Sequence, residues 1–354
     1  MKAFGVKDVN VAGWIEVEKP TLEGFDAILR PLAIAPCSSD THALHAEGTL
    51  PIGRVLGHEA VAEVVEVAPE VKHFKPGDIV VVPTNTPNWE EPDLQQRDIN
   101  NAHDSRIMGS FKFVAQKNGV MAEYFHVNNA DANLVNLPEN VSMKAALMTV
   151  DMMSTGFYSI ENAEVKFGDN VVVIGIGPVG LMAVAGAKLR GAARIVGIGT
   201  RPDCIELAKE YGATDILSYK DGDLVEQVRK LFPKGADAVI VAGGGADSLE
   251  QALRMTKANG YVSNVNYFDA KDSFNIPARS WGLGMSDITI RGGFCPGGAD
   301  RIKRLLRLIE VGRINPEKLL NYEFKGFDKI EDAFKIMDEK PRDLIKPVVL
   351  IDWK

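Results

Sequence analysis

The sequence predicts an α/β protein of two domains, a β-rich one and a doubly wound parallel sheet. Three observations carry this. At 354 residues the chain exceeds a typical single domain. Residues 1 to about 150 consist of short Val- and Ile-heavy runs cut by Gly and Pro, the pattern of strands and turns. From about residue 165, apolar β-branched runs alternate with stretches of helical spacing, which indicates a parallel sheet with helices on both faces.

Within the first region, residues 61–67 and 78–82 read as strands separated by the turn Lys75-Pro76-Gly77. Residues 84–116 are different: polar, rich in Asn and Asp, and without clear period. Patterned sequence resumes on both sides, so this stretch is expected to be a functional loop or lobe rather than a linker. In the second region, strands are expected at 170–175, 194–199, 238–243 and 261–266. Helices are expected at 179–190, at 202–211 with Pro202 near its first turn, and at 248–258. The tail predicts helices at 299–312 and 329–339 and a last strand at 345–351. No repeat and no low-complexity segment is present.

Composition narrows the function. Hydrophobic and charged fractions of 45% and 25% are those of an ordinary globular protein able to bury a large core. The 40 basic and 48 acidic residues leave a net charge of −8 with no Lys/Arg block, which argues against a nucleic-acid partner. No apolar run approaches the roughly 20 residues that cross a bilayer. The longest candidate, 171–189, is broken by Gly175, Gly177, Pro178, Gly180 and Gly186. Met1-Lys2-Ala3-Phe4-Gly5-Val6-Lys7 enters a strand-like segment with no signal-peptide core, so a cytoplasmic protein without membrane contact is expected. Cys37, Cys204 and Cys295 are too few and too scattered for a disulfide framework.

The segment Gly175-Ile176-Gly177-Pro178-Val179-Gly180 is a G-x-G-x-x-G that follows an expected strand and opens an expected helix. Gly175 permits the tight turn, Gly177 lets the backbone approach a pyrophosphate, and Gly180 lets helix and strand pack closely. The helix start at Pro178 and Val179 offers free N–H groups to the anion. A dinucleotide site is therefore expected. An NAD site places Asp or Glu about 20 residues further on, but here Gly199 or Thr200 fills that slot and Arg201 follows. A missing carboxylate and a guanidinium favour the 2′-phosphate of NADP, although Asp203, as a shifted carboxylate, could still reach a ribose.

Candidate metal ligands lie in the first half. Pro36-Cys37-Ser38-Ser39-Asp40-Thr41-His42 is followed by Gly57-His58-Glu59-Ala60, and Val150-Asp151-Met152-Met153 closes the β-rich region. A thiolate, an imidazole and a carboxylate suit a zinc site with an open position. By spacing alone, a small buried hydrophobe at Cys37 and a core histidine at His58 serve equally well.

These motifs resemble those of the medium-chain zinc alcohol dehydrogenases, and more closely the bacterial and protist NADP-dependent secondary alcohol branch. The resemblance extends through Asp151-Met152-Met153-Ser154-Thr155-Gly156-Phe157 and Tyr211-Gly212-Ala213-Thr214-Asp215. It continues in Gly292-Gly293-Phe294-Cys295-Pro296-Gly297-Gly298 and Lys340-Pro341-Arg342-Asp343-Leu344-Ile345-Lys346, nearly end to end. It implies a GroES-like catalytic domain over 1–152, a Rossmann domain over 153–294, and a C-terminal segment, 295–354, completing the first. It implies that Cys37, His58 and Asp151 bind one catalytic zinc, with Glu59 as a nearby or fourth ligand that yields to substrate. Ser39 and His42 match the proton-relay positions. Thr200, Arg201 and Tyr219 match those enclosing the 2′-phosphate, and Asn266 and Lys340 match other cofactor contacts. Members are usually homotetramers acting on small alcohols and ketones. A structural zinc held by four closely spaced cysteines is excluded, because no cysteine lies between Cys37 and Cys204.

Several positions depart from the family. Ala62 replaces a Gly with little consequence. Ser110 stands where a Trp commonly walls the substrate pocket, Asn85 and Thr86 replace smaller or more apolar residues, and Phe294 replaces Leu; Cys295 is expected to line the pocket. A wider, more polar pocket for a bulkier or oxygenated ketone is the expectation. Three competing readings stay open: a polyol dehydrogenase, a zinc-free NADPH reductase of the same superfamily, and a catalytically silent NADP-binding protein.

Overall fold

The computed structural model describes residues 1–45, 50–90, 113–245, 247–268, 273–274 and 276–353. Two compact units emerge: Met1–Ser154 together with Cys295–Lys354, and Thr155–Phe294. The polar stretch 84–116 and the Ser110 position within it fall largely outside the described residues.

The first unit is built on a sheet whose strands run in the order Leu320–Lys325, Lys346–Leu350, Ala27–Ile34, Ala60–Val67, Ile79–Val82 and Val135–Asn136. Ala27–Ile34 lies antiparallel to both Ala60–Val67 and the C-terminal strand Lys346–Leu350, so chain from both ends of the sequence makes one sheet. Ala60–Val67 is apolar on both faces over its first three residues, whereas its half-buried Glu63 pairs with Arg30 of the neighbouring strand. Ala60, Val61, Ala62 and Val64 are all buried, as continuous rather than alternating hydrophobic sequence requires. A second ladder, Lys2–Asp8 with Val11–Glu16, turns at Asn10, which takes a left-handed φ of 59°. The unit's helical run starts at Ser142, whose side chain accepts from Ala145 N and caps Met143–Met148. It then widens into a π-helical turn, Thr149–Met153, before continuing as Ser154–Asn162. Such turns are uncommon and recur at functional sites; here the wide turn carries Asp151.

The second unit is a six-stranded, wholly parallel sheet ordered Asp215–Leu217, Arg194–Ile198, Asn170–Ile174, Ala236–Val241, Thr256–Asn264 and Thr289–Gly292. In sequence order this is 3-2-1-4-5-6, the doubly wound arrangement whose strand order reverses between Asn170–Ile174 and Ala236–Val241. Helices Pro178–Leu189 and Pro202–Tyr211 pack together, as do Leu224–Leu231 and Ser248–Met255. The second pair buries Val225, Val228, Ala252 and Leu253 against Val172, Val196 and Val239 of the sheet. Asp223 caps Leu224–Leu231 through Glu226 N at 2.9 Å.

The helix expected at 248–258 ends instead at Met255, and the next strand begins at Thr256, earlier than the expected 261. Thr256 pairs with Ala236 in the parallel ladder, and Asn259, at φ 60°, leaves helical geometry. Pairing thus overrides the helical spacing of Lys257 and Ala258. The short strands Asp215–Leu217 and Thr289–Gly292 lack the length to give a pattern in sequence. Among the described residues, no helix is long and apolar enough to cross a membrane.

Candidate metal centre and cofactor site

Cys37 follows the strand Ala27–Ile34, and His58 and Glu59 immediately precede Ala60–Val67. Ile34 pairs with Ala60 on one side and Val349 on the other. Continuing both antiparallel registers past Ile34 brings Cys37 level with Gly57 and with Lys346. Asp151 reaches the same place from the π-helical turn.

One ligand atom from each of Cys37, His58, Glu59 and Asp151 lies within 4.8 Å of the others. His58 Nε2 is 3.5 Å from Asp151 Oδ2 and 3.9 Å from Glu59 Oε1, and Cys37 Sγ is 3.7 Å from Asp151 Oδ2. A tetrahedral zinc with arms of roughly 2.0–2.3 Å has donor–donor edges of roughly 3.3–3.8 Å. The separations among Cys37, His58 and Asp151 fit and the one to Glu59 is slightly longer, and sulfur with nitrogen and carboxylate oxygen is a donor set zinc accepts. Glu59 Oε2 is buried without a hydrogen-bond partner, an acceptor that a cation would satisfy. His58, Glu59 and Asp151 are buried and Cys37 is half-buried. Ser39 beside them is exposed, so the cluster is open on the Cys37–Ser39 side.

Two further residues hold the cluster in order. Asp40 is fully buried and accepts from Cys37 N at 2.9 Å and Gly57 N at 3.1 Å, while its Oδ1 meets His58 Nδ1 at 3.1 Å. With a cation in place of the Nε2 proton, that contact keeps the remaining proton on Nδ1 and turns the Nε2 lone pair to the other donors. Lys346 is also buried, and its Nζ bonds Glu59 Oε1 at 2.5 Å. Burial pushes the Glu59 carboxyl up to about 7, with Asp151 adding to the push and Lys346 opposing it. Burial would lower the Lys346 ammonium, but Cys37, Glu59 and Asp151 outweigh it and keep Lys346 charged. Burial likewise opposes protonation of His58, and the Asp40 charge with contacts to Asp151 and Cys37 overcomes it and raises its pKa.

Ser39 and His42 share one face of the helix Ser38–His45, and Ser39 Oγ lies 3.3 Å from His58 Nε2. His42 is half-buried one turn on, whereas His45 faces away to Asp338 at 3.1 Å. Of the expected pocket residues, Asn85 and Thr86 are buried, Asn85 bonds the Cys295 carbonyl, and Thr84 Oγ1 donates to the His58 carbonyl at 3.2 Å. Phe294, half-buried, ends the second unit. Ser110 lies outside the described residues.

In the second unit, a cavity of about 450 Å³ lies at the point where the strand order reverses. Gly175, Gly177, Thr200, Arg201 and Tyr219 line it, together with Cys204, Gly244, Gly245, Ser248 and Gln251. Gly175 takes φ 86°, and a Cβ on Gly180 would overlap the Gly175 carbonyl oxygen, so both glycines are required by shape. Pro178 and Val179 open the helix behind them. Arg201 is the N-cap residue of Pro202–Tyr211 and reaches within 3.5 Å of where a Gly177 Cβ would sit. Thr200 Oγ1 and Tyr219 Oη are 2.7 Å apart. Among the described lining residues Arg201 alone is charged, so guanidinium and helix N-terminus together favour an anion. Asn266 and Lys340 do not line this cavity. Asn266 follows the strand Thr256–Asn264, and Lys340 ends Ile330–Glu339 at φ 48° in the other unit.

Sequence reasoning assigned no role to Asp40, Lys346 or the Gly244-Gly245 turn. The glycine turn after an apolar strand was a usable signal. Asp40 and Lys346 acquire their roles only from the sheet register.

Residues 24–139 match the alcohol dehydrogenase GroES-like domain, and residues 178–311 match the zinc-binding dehydrogenase domain. The chain is 51% identical to the NADP-dependent isopropanol dehydrogenase of Thermoanaerobacter brockii, over 99% of this chain and 100% of that one. It is 50% identical to the enzyme of the same name from Clostridium beijerinckii, again over 99% and 100%. The solved alcohol dehydrogenase TADH from Thermus sp. ATN1 superposes with a TM-score of 0.86 at 30% identity, covering 99% of this chain and 100% of that one. With a GroES-like unit bearing the four-donor cluster and a doubly wound unit bearing the glycine turn, the chain belongs to the zinc-binding medium-chain alcohol dehydrogenases.

Proposed function

We propose that the protein interconverts secondary alcohols and ketones by hydride exchange with NADP(H) at a single catalytic zinc, as a cytoplasmic homotetramer. The observation that carries this reading is the buried Cys37–His58–Glu59–Asp151 cluster, open on one side, in a chain about half identical to two NADP-dependent isopropanol dehydrogenases. The compartment and the tetramer rest on resemblance to the family.

When bound, zinc supplies Lewis acidity toward the substrate oxygen and NADP(H) accepts or gives the hydride. Cys37, His58 and Asp151 would hold the metal, and Lys346 keeps Glu59 beside them as a reserve ligand. Asp40 would hold the His58 proton on Nδ1 so that Nε2 is the atom offered to the metal. Ser39 takes the alcohol proton and passes it toward His42 and solvent, the two lying on one helix face. In ketone reduction the same groups return the proton. Arg201 binds the adenosine 2′-phosphate, with Thr200 and Tyr219 beside it and the glycine turn under the pyrophosphate. Asn266 and Lys340 are assigned further cofactor contacts by resemblance.

Three outcomes are expected. Cys37→Ala and Asp151→Ala should each lose bound zinc and turnover while NADP binding, read by fluorescence titration, persists; full activity in either variant contradicts the metal assignment. Asp40→Asn presents an amide that can donate to Nδ1 and so move the proton to Nε2. Its zinc affinity, measured by competition with a chelator, should fall about 10- to 100-fold, and an unchanged affinity would remove Asp40 from the site. Arg201→Ala should weaken NADP binding by about tenfold or more while leaving NAD binding nearly unaltered; equal losses for both cofactors would point to a purely structural arginine.

A further inference from the structure

The cavity of the second unit has two sides. On one stand the glycine turn after Asn170–Ile174, Thr200 and Arg201 after Arg194–Ile198, and Tyr219 after Asp215–Leu217. On the other, across the point where the strand order reverses, Gly244, Gly245, Ser248 and Gln251 follow Ala236–Val241. The two sides meet at Gly175, where an added Cβ would stand 2.7 Å from Gly243 Cα. In NADP the base and the 2′-phosphate hang from neighbouring carbons of one ribose. A dinucleotide with its pyrophosphate on the glycine turn and its 2′-phosphate on Arg201 therefore carries its adenine into the space faced by Ser248 and Gln251.

Most polar side chains lining this space are already engaged. Thr200 Oγ1 and Tyr219 Oη share a hydrogen bond at 2.7 Å, and Ser248 Oγ donates to Gly245 O at 2.6 Å. Gln251 differs. Its backbone N–H closes a helical turn onto Asp247 O at 2.9 Å, but its side-chain amide makes no hydrogen bond among the described residues.

The helix Ser248–Met255 aims that amide at the cavity. Ser248 and Gln251 are three residues apart and share a face, while Ala252 and Leu253 turn into the core. Helical side chains lean toward the helix N-terminus, which here is the end at the Gly244-Gly245 turn. Gln251 is half-buried, so a ligand in the cavity can reach it. Leu224, at the start of Leu224–Leu231, adds an apolar side chain to the same lining. An apolar lining with one open amide suits a flat heteroaromatic ring with a polar edge.

We propose that Gln251 reads the adenine base of the cofactor, its amide oxygen accepting from the 6-amino group and its amide N–H donating to ring nitrogen N7. A carboxamide matches this edge because its oxygen and NH2 lie side by side in one plane, as do the acceptor and donor of the base. This rests on the NADP reading above and deepens it by assigning the base. Hypoxanthine carries a carbonyl oxygen in place of the amino group and so shows two acceptors on that edge. Gln251 has one donor group to offer and its oxygen then faces another oxygen, so one of the two bonds is lost.

The test is fluorescence titration of the purified protein with NADPH and with reduced nicotinamide hypoxanthine dinucleotide phosphate, which differ only in the purine. The wild-type protein should bind NADPH about tenfold more tightly. Gln251→Met keeps the length of the side chain without its hydrogen bonds, and should bring the two affinities within about twofold of each other. A purely structural glutamine would instead weaken both nucleotides alike and leave their ratio intact. Equal wild-type affinities, or a preference that Gln251→Met leaves intact, overturn the inference while the dehydrogenase reading stands. Failure of the wild-type protein to bind either nucleotide overturns both. Gln251→Ala carries the same expectation should Gln251→Met fail to fold.

Discussion

Four groups that are anionic when ionised, Cys37, Asp40, Glu59 and Asp151, are packed round one imidazole in the interior of the first unit. One buried ammonium, Lys346, faces them. Such an excess of negative charge in a dry environment is strongly unfavourable unless protons or a cation offset it. The upward push on Glu59 is the protein's own response to that excess, and a divalent cation would cancel most of it. The rest of the site follows from this constraint. Asp40 must accept from His58 Nδ1 so that Nε2 remains a ligand, and Lys346 must start the final strand so that its ammonium meets Glu59. Removing one member of a buried ion pair costs about 3–5 kcal/mol, so Lys346 serves the fold as well as the metal site.

The sheet supplies the positions. Because Ala27–Ile34 lies antiparallel to neighbours on both sides, Cys37, His58 and Lys346 meet at one end of three strands. The fourth contribution, Asp151, comes from a helix locally widened to a π-turn. Rigid strand ends hold the ligands, while the segment 84–86 borders them and carries two buried oxygens, Asn85 Oδ1 and Thr86 Oγ1, without a hydrogen-bond partner among the described residues.

Local patterns told much of this in advance, and their failures have physical causes. Pro202–Tyr211 was readable to the residue because Pro202 opens it and Gly212, at φ 119°, closes it. The helix expected to reach 258 stopped at Met255, because parallel pairing of Thr256 outweighed local preference. The glycine turn and the missing acidic residue at Gly199-Thr200-Arg201 were legible, and the cavity forms around them. By contrast, the spacing of Cys37, His58 and Asp151 carries no periodic signal, and only likeness to the family singled them out. Asp40 and Lys346 were invisible as site residues, since nothing in a linear sequence states that residue 346 faces residue 37. The Asn85 and Thr86 substitutions were readable as polar, but that their oxygens are left unpaired emerges only from the packing around them.

The measurement that bears most directly on the buried charge cluster is the metal content and ligand set of the native protein. Zinc stoichiometry by mass spectrometry, with X-ray absorption at the zinc edge, should give one zinc per chain with one sulfur and otherwise nitrogen and oxygen neighbours. A protein purified without zinc that does not take it up, or a zinc surrounded by several sulfurs, would contradict the account.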